Sequence, residues 1–171
     1  MGWALNIAFL CSLTCCILNI IAVALPYWLY TERPNKAYQG LWQRCEPSLL
    51  SGTGTELRCE IIKLPPEFLD LVRVFMLVGL GFYMLATFFC FRYTFMSSDR
   101  PGFITAATVF ITIGAFLCLI SVVVYGSLYP RLLRVQHLGL HAGFGIAVCC
   151  VIAGFLNVIL YCMARAKGDV D

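Results

Sequence analysis

The stretch Gly40-Leu41-Trp42-Gln43-Arg44-Cys45 lies in the longest polar segment of the chain and alternates apolar and polar residues. Such alternation is typical of a strand with one covered face and one face in water. The stretch Leu57-Arg58-Cys59-Glu60-Ile61 alternates in the same way, and the turn-forming run Ser51-Gly52-Thr53-Gly54-Thr55 lies between the two. The sequence therefore predicts two neighbouring antiparallel strands, one carrying Cys45 and the other Cys59.

These two cysteines predict a disulfide, with two free thiols as the alternative. A bridge would close a loop of about 15 residues, which stabilises a fold by about 3 kcal/mol in the chain-entropy model. The other cysteines lie in apolar segments, where cysteine acts mostly as a small hydrophobe: Cys11, Cys15, Cys16, Cys90, Cys118, Cys149, Cys150 and Cys162. Because disulfides persist outside the cell, the bridge indicates an extracellular loop.

Outward from this segment, four long apolar runs account for most of the chain. The protein has 171 residues and is 61% hydrophobic but only 12% charged, whereas about a quarter of a soluble domain is charged. Each run can cross about 30 Å of hydrocarbon as a helix, and the alternation of barrel strands is absent from all of them. We predict an all-α membrane protein, a four-transmembrane-helix bundle forming a single domain over 1–171. The predicted spans are about 3–25, 74–91, 103–129 and 142–163.

Two loops share one side of the membrane in this arrangement, and both termini share the other. The first loop covers about residues 29–70 and the second about residues 130–141. The cysteines make these loops extracellular and both termini cytoplasmic, in a multi-pass protein of the plasma membrane. However, the outer loops carry more Lys and Arg than the inner segments, against the positive-inside rule, and this conflict stays open.

The sequence lacks the motifs that are typical of catalytic, phosphate-binding and metal-binding sites. It contains no Ser-His-Asp set in one compartment, no phosphate loop and no zinc-ligand spacing, and its spans contain almost no ionisable residue. We therefore predict that it is not an enzyme and has no cofactor and no metal site. His137 and His141 have no evident third ligand, so solvated loop histidines are favoured over a metal pair. A net charge of +3, scattered along the chain, does not indicate a nucleic-acid partner.

Two smaller signals lie in or beside the spans. Cys90 and Cys162 are near the predicted cytoplasmic boundary and are candidates for palmitoylation. Gly139 and Gly143 form a G-x-x-x-G pattern at the start of the fourth span. Small residues let helices approach closely, and packing within the bundle is favoured over dimerisation.

The aromatic and cysteine residues in and around the first loop resemble the pattern of a known family. Trp28, then Gly40-Leu41-Trp42, then Cys45 and Cys59 resemble the W…GLW…C…C signature of the claudin superfamily. That superfamily includes claudins, peripheral myelin and epithelial membrane proteins, the lens fibre membrane protein and calcium-channel gamma subunits. The order of spans and the unequal outer loops are similar as well, so the resemblance covers essentially the whole chain.

The resemblance implies a left-handed four-helix bundle topped by a small extracellular antiparallel β-sheet. The first loop would supply most of the sheet and the second loop one strand. Leu41 and Trp42 would anchor the sheet near the outer membrane face, and Arg73 would support it. A position in the core of the loop domain is an equally supported interpretation of Trp42.

The chain also departs from the patterns of the subfamilies. It ends in Gly168-Asp169-Val170-Asp171, without the aromatic-plus-valine terminus by which many claudins bind PDZ scaffolds. It has Gly143-Phe144-Gly145-Ile146 where many relatives carry a Gly-Trp pair, and it has no Asn-x-Ser/Thr sequon. These departures leave the subfamily open.

By resemblance, the expected function is that of a claudin-like cell–cell junction, adhesion or paracellular barrier component. Its partners would be the lipid bilayer and further copies of itself or related tetraspans, in cis and in trans. The alternatives are an auxiliary regulatory subunit of an ion channel or receptor, like the gamma subunits, and a membrane organiser of the peripheral myelin or epithelial membrane type. Acidic and basic residues balance in the first loop, so no ion preference is predicted.

Overall fold

The computed structural model describes residues 3–31, 37–47, 57–96, 102–133 and 138–168. Within these ranges, four long helices form a bundle: α1 (Trp3–Ala24), α2 (Glu67–Phe95), α3 (Gly102–Leu133) and α4 (Ala142–Gly168). The same ranges contain five short strands: β1 (Leu29–Thr31), β2 (Ala37–Gln39), β3 (Gln43–Pro47), β4 (Leu57–Ile61) and β5 (Leu138–Leu140). The prediction of a four-helix bundle with a small antiparallel sheet is confirmed.

The strands form one sheet in the order β4-β3-β2-β1-β5, and every neighbouring pair is antiparallel. The first four strands come from the segment between α1 and α2, and β5 comes from the segment between α3 and α4. The sheet therefore lies at the end of the bundle where α1 ends and α4 begins.

All four helices are long and apolar enough to cross a membrane. The interior of the bundle is rich in small residues, which let helices approach closely in lipid. Fully buried alanines are Ala8, Ala22, Ala86, Ala107, Ala115 and Ala147. Large apolar side chains also cover the outer surface of the helices, including Leu10, Phe88, Val123 and Leu156. Such an apolar outer surface suits a bundle whose solvent is hydrocarbon, and the chain is a multi-pass membrane protein.

Two local expectations differ from the structure. The helix α3 continues past Pro130 to Leu133, since a proline near a helix end removes only one late hydrogen bond. The G-x-x-x-G pattern does not lie on one helix, because Gly139 belongs to β5 whereas Gly143 belongs to α4.

Candidate functional site

The β3–β4 hairpin is closed by a disulfide between Cys45 and Cys59, as predicted. The two cysteines face each other directly in the strand register, with Cα atoms 4.0 Å apart. The sulfur-bearing side chain of Cys45 is buried, while Cys59 lies on the exposed outer strand. The bridge thus joins the exposed strand β4 to the buried Cys45 position of β3.

The hairpin also carries two arginine–glutamate pairs. Arg44 contacts Glu46 at 2.6 Å and Arg58 contacts Glu60 at 3.2 Å, and each of these side chains is more than half exposed. In the strand register Arg44 faces Glu60, and Glu46 faces Arg58. Each charge therefore has opposite charges beside it and across from it, and the four together carry no net charge. Exposed pairs of this kind add at most about 1 kcal/mol each to stability.

Arg73 of α2 fastens the bundle to the turn between β2 and β3. Its Nε atom donates a hydrogen bond to the Leu41 carbonyl oxygen at 2.8 Å, and its Nη1 atom lies 2.7 Å from Asp70 Oδ1. Its guanidinium lies 4.8 Å from the centre of the Trp42 ring, within the range of a cation–π contact. Leu41 itself is fully buried. One side chain thus makes three different contacts where the sheet meets the bundle.

The predicted strand at Gly40-Leu41-Trp42 is a turn, and β3 begins only at Gln43. A Cβ atom at Gly40 would lie 2.5 Å from the Leu25 carbonyl oxygen and 2.5 Å from Pro26 Cα. The backbone at Gly40 is therefore pressed against the end of α1, which excludes any side chain. This contact between distant segments, rather than local propensity, explains the turn.

Trp28 lies in the interior, between the end of α1 and the sheet. Its ring is fully buried, 4.9 Å from that of Tyr125, and its Nε1 atom donates to the Ala22 carbonyl oxygen at 2.6 Å. Its backbone nitrogen bonds Gln39 O, and its carbonyl oxygen accepts from His141 N. Because the indole N–H has an internal partner, burial costs little. Trp28 thereby connects α1, the sheet and the segment before α4.

A cluster of four rings covers one face of the sheet beside Trp28. Tyr38 lies at its centre, with ring centroids 5.2 Å from Tyr27, 5.1 Å from Tyr30 and 5.7 Å from His141. Tyr30 and Tyr38 face each other in the strand register. This cluster was not predicted from the sequence, although Tyr30 and Tyr38 lie on short neighbouring strands and are a signal for it. His137 lies outside the described residues, and no group of three or more metal-ligating side chains occurs within them.

Polar side chains inside the bundle were also missed. Ser12 lies 2.7 Å from the Tyr161 hydroxyl and 2.7 Å from the Asn157 amide, and all three residues are fully buried. Asn19 donates to the Cys118 sulfur at 3.1 Å. In hydrocarbon such groups need partners, so these contacts connect specific helices.

The two cysteines considered for palmitoylation lie in different surroundings. Cys90 is only 1% exposed within the bundle, whereas Cys162 is exposed near the end of α4. An acyl chain on Cys90 would have to displace packed helices. Modification at Cys162 stays a prediction.

One family model matches nearly the whole chain. It is described as the PMP-22/EMP/MP20/Claudin family, and it matches residues 1–164. A search of curated proteins found no match. The matched region includes α1, α2, α3, the five described strands and all but the last four residues of α4.

Proposed function

Because this chain belongs to the PMP-22/EMP/MP20/Claudin family, we propose that it is a non-enzymatic junction or adhesion component that acts at contacts between neighbouring cells. The sheet would lie outside the cell and both termini in the cytoplasm. Its sheet would meet the sheets of other copies or of related tetraspans. The bundle would serve as the membrane anchor that holds the sheet at the cell surface.

The exposed hairpin is the observation that carries this proposal. All five residues of β4 are exposed, including Leu57 at 47% and Ile61 at 73%. Leu64, just beyond the strand, is 93% exposed. Apolar side chains presented on a rigid, disulfide-closed strand are suited to contact with another protein.

The charges of the hairpin favour a barrier without strong ion selectivity. A ring of charges selects ions when charges of one sign converge on a constriction. In the hairpin, Arg44, Glu46, Arg58 and Glu60 neutralise one another. We therefore expect contacts made by this hairpin to discriminate weakly between cations and anions.

A groove on α2 favours a second candidate function, that of an auxiliary subunit of a channel or receptor. The groove has a volume of about 620 Å³ and is lined by Val78, Gly81, Phe82, Met84, Leu85 and Phe88. It lies midway between Arg73 and Arg92, hence at the depth of the hydrocarbon core. A helix of a larger membrane protein could pack there, since Gly81 leaves its surface open.

Imaging of a tagged copy in cells that lack junction strands tests the proposal. If the protein forms contacts, it should concentrate where two expressing cells touch, and Cys45→Ser should abolish this enrichment. Cys149→Ser, which changes an exposed cysteine outside the disulfide, is the matched control and should leave the enrichment unchanged.

Surface labelling of the same cells separates the candidate functions. Uniform surface protein without enrichment at contacts contradicts the junction proposal. Retention inside the cell that is relieved by a co-expressed channel would support the auxiliary-subunit function instead.

A further inference from the structure

The four rings on the face of the sheet, which we call the ring cluster, lie at the depth of the lipid headgroups. Its members are Tyr27, Tyr30, Tyr38 and His141. Tyr27 is three residues beyond the end of α1, and His141 directly precedes α4. Both helices are long and apolar enough to cross the membrane, so their ends on this side reach the headgroup region. Lipid headgroups are therefore the molecules that surround the ring cluster.

Three rings of the cluster form a corner. The Tyr27 ring is inclined at 88° to the Tyr38 ring and the His141 ring at 81°, so both stand nearly perpendicular to it. The ring centroids are 5.2 Å apart for Tyr27 and Tyr38, 5.7 Å for Tyr38 and His141, and 5.9 Å for Tyr27 and His141. A cation is attracted to a ring within about 6 Å of its centre. One cation in the corner can therefore interact with all three rings at once.

The ring cluster is accessible from the side of β5. Its three tyrosines are half-buried, and His141 is exposed. In the strand register Gly139 of β5 faces Tyr30, and a Cβ atom at Gly139 would meet nothing within 4 Å. No side chain therefore covers the sheet next to the Tyr30 ring, and the open space leads to the other rings.

The charged side chains of the β3–β4 hairpin point to the opposite face of the sheet. Tyr38 faces Cys45 in the register, and successive side chains of a strand alternate between the two faces. Arg44 and Glu46, on either side of Cys45, therefore lie on the face away from Tyr38. On the side of the rings, the described strands present aromatic faces without a carboxylate. Such a surface suits a weakly hydrated cation that needs no ion pair.

We propose that the ring cluster binds the trimethylammonium group of a choline headgroup, carried by a phospholipid in the leaflet on the side of the sheet. A trimethylammonium group has no N–H and donates no conventional hydrogen bond, so aromatic faces are its main partners in proteins. The ammonium of an ethanolamine headgroup keeps its N–H groups in water or on acceptors instead. A choline lipid held there attaches the sheet to the membrane surface. The inference is independent of the proposed junction function, because a lipid contact requires no second cell.

Lipid titration of the purified full-length chain tests the headgroup. Native mass spectrometry would count the molecules of phosphatidylcholine, phosphatidylethanolamine and phosphatidylglycerol, all with identical acyl chains, that bind in detergent. We expect one phosphatidylcholine to bind about tenfold more tightly than phosphatidylethanolamine, because several rings contact the quaternary cation together. Phosphatidylglycerol carries no cation and should gain nothing from the ring cluster.

Single substitutions locate the site. Tyr38→Leu removes the central ring and should lower the preference for phosphatidylcholine about threefold, whereas Tyr38→Phe retains the ring and should retain the preference. Gly139→Val fills the open space next to Tyr30 without meeting another atom of the fold, so it should block binding in a chain that still folds. Phe88→Leu is the matched control, because it removes an exposed ring from the outer surface of α2.

Nuclear magnetic resonance gives a readout that a purely structural role of the rings would not change. In nanodiscs of phosphatidylcholine with isotope-labelled choline methyl groups, the methyl protons of the bound lipid should shift upfield and show contacts to tyrosine ring protons. Gly139→Val should remove both signals. Soluble phosphocholine, added to the chain in nanodiscs of phosphatidylethanolamine, distinguishes a free ligand from a lipid. It should bind much more weakly than the lipid, which the membrane holds at high effective concentration.

Equal binding of the three lipids would overturn the inference, as would a preference for phosphatidylcholine that is unchanged in Gly139→Val. Strong binding of soluble phosphocholine without any preference among the lipids would also overturn it, because the ligand would then come from water. None of these results bears on the junction proposal, since imaging at cell contacts measures a different property.

Discussion

Gly143 at the start of α4 lies so close to the Trp28 ring that a Cβ atom at position 143 would stand 2.7 Å from Trp28 Cδ1. The Gly143 backbone nitrogen also donates to the Tyr27 carbonyl oxygen at 2.7 Å. The first turn of α4 is therefore fitted against the segment that leads from α1 into the sheet. This contact joins α4 to the segment between α1 and β1, and it is separate from the contacts of Arg73.

Gly143→Ala should destabilise the protein, because the added methyl group meets the Trp28 ring and the Tyr27 carbonyl oxygen. Overpacking of this kind costs about 1–3 kcal/mol. Gly145→Ala is the matched control: it lies in the same helix, and a Cβ there meets nothing within 4 Å. Thermal unfolding in detergent should show a lower midpoint for Gly143→Ala, whereas Gly145→Ala should be unchanged or slightly more stable. Equal midpoints would contradict the close fit at Trp28.

Arg73→Lys should weaken the attachment of the sheet although the charge is retained. A lysine ammonium lacks the planar fork that reaches Leu41 O, Asp70 and the Trp42 ring together. We expect a loss of about 1–3 kcal/mol in unfolding free energy. Protease sensitivity of the β2–β3 turn should rise as well. Arg92→Lys, at a position where the guanidinium contacts the Met96 sulfur, should change neither property.

Much of the fold was predictable because its signals are local. Long apolar runs identify membrane helices without any knowledge of packing, and alternation around Cys45 and Cys59 indicated the hairpin and its disulfide. These features need only the sequence of the segment in which they occur.

The missed features depend on contacts between distant segments. Gly40 forms a turn because its backbone meets the end of α1, and nothing in the local sequence records that contact. Ser12, Asn19 and Asn157 occur in helices that are apolar on every face, so periodicity does not reveal which side is buried. Their partners become visible only when the four helices are packed together.

Removal of the disulfide should destabilise the hairpin more than the bundle. Replacing Cys45 and Cys59 together by serine releases a loop closed across 14 positions of sequence separation, at a cost of about 3 kcal/mol in the chain-entropy model. Limited proteolysis should then cleave the segment between β3 and β4 much faster, while the helices stay protected. Cys149→Ser should be cleaved at the original rate. Unchanged cleavage of the double variant would mean that strand pairing alone holds the hairpin.

Two buried tyrosines of similar environment should respond differently to loss of their hydroxyl groups. The Tyr161 hydroxyl lies 2.7 Å from Ser12 Oγ, so Tyr161→Phe leaves a buried serine in hydrocarbon with one partner fewer. Contacts of this type contribute about 0.6 kcal/mol on average and up to about 1.7 kcal/mol within membranes. The unfolding free energy of Tyr161→Phe should fall by an amount in this range.

Tyr83→Phe is the natural comparison. The Tyr83 hydroxyl meets no oxygen or nitrogen partner among the described residues, although the Cys118 thiol lies nearby. Its removal should therefore be neutral or stabilising, since a buried polar group without a good partner is itself a cost. Tyr83→Phe and Tyr161→Phe should be unfolded in the same detergent and compared. Tyr161→Phe, Ser12→Ala and the Ser12→Ala/Tyr161→Phe double variant together form a double-mutant cycle for the contact between Ser12 and Tyr161. A coupling near zero between Ser12 and Tyr161 would show that their contact does not hold α1 to α4.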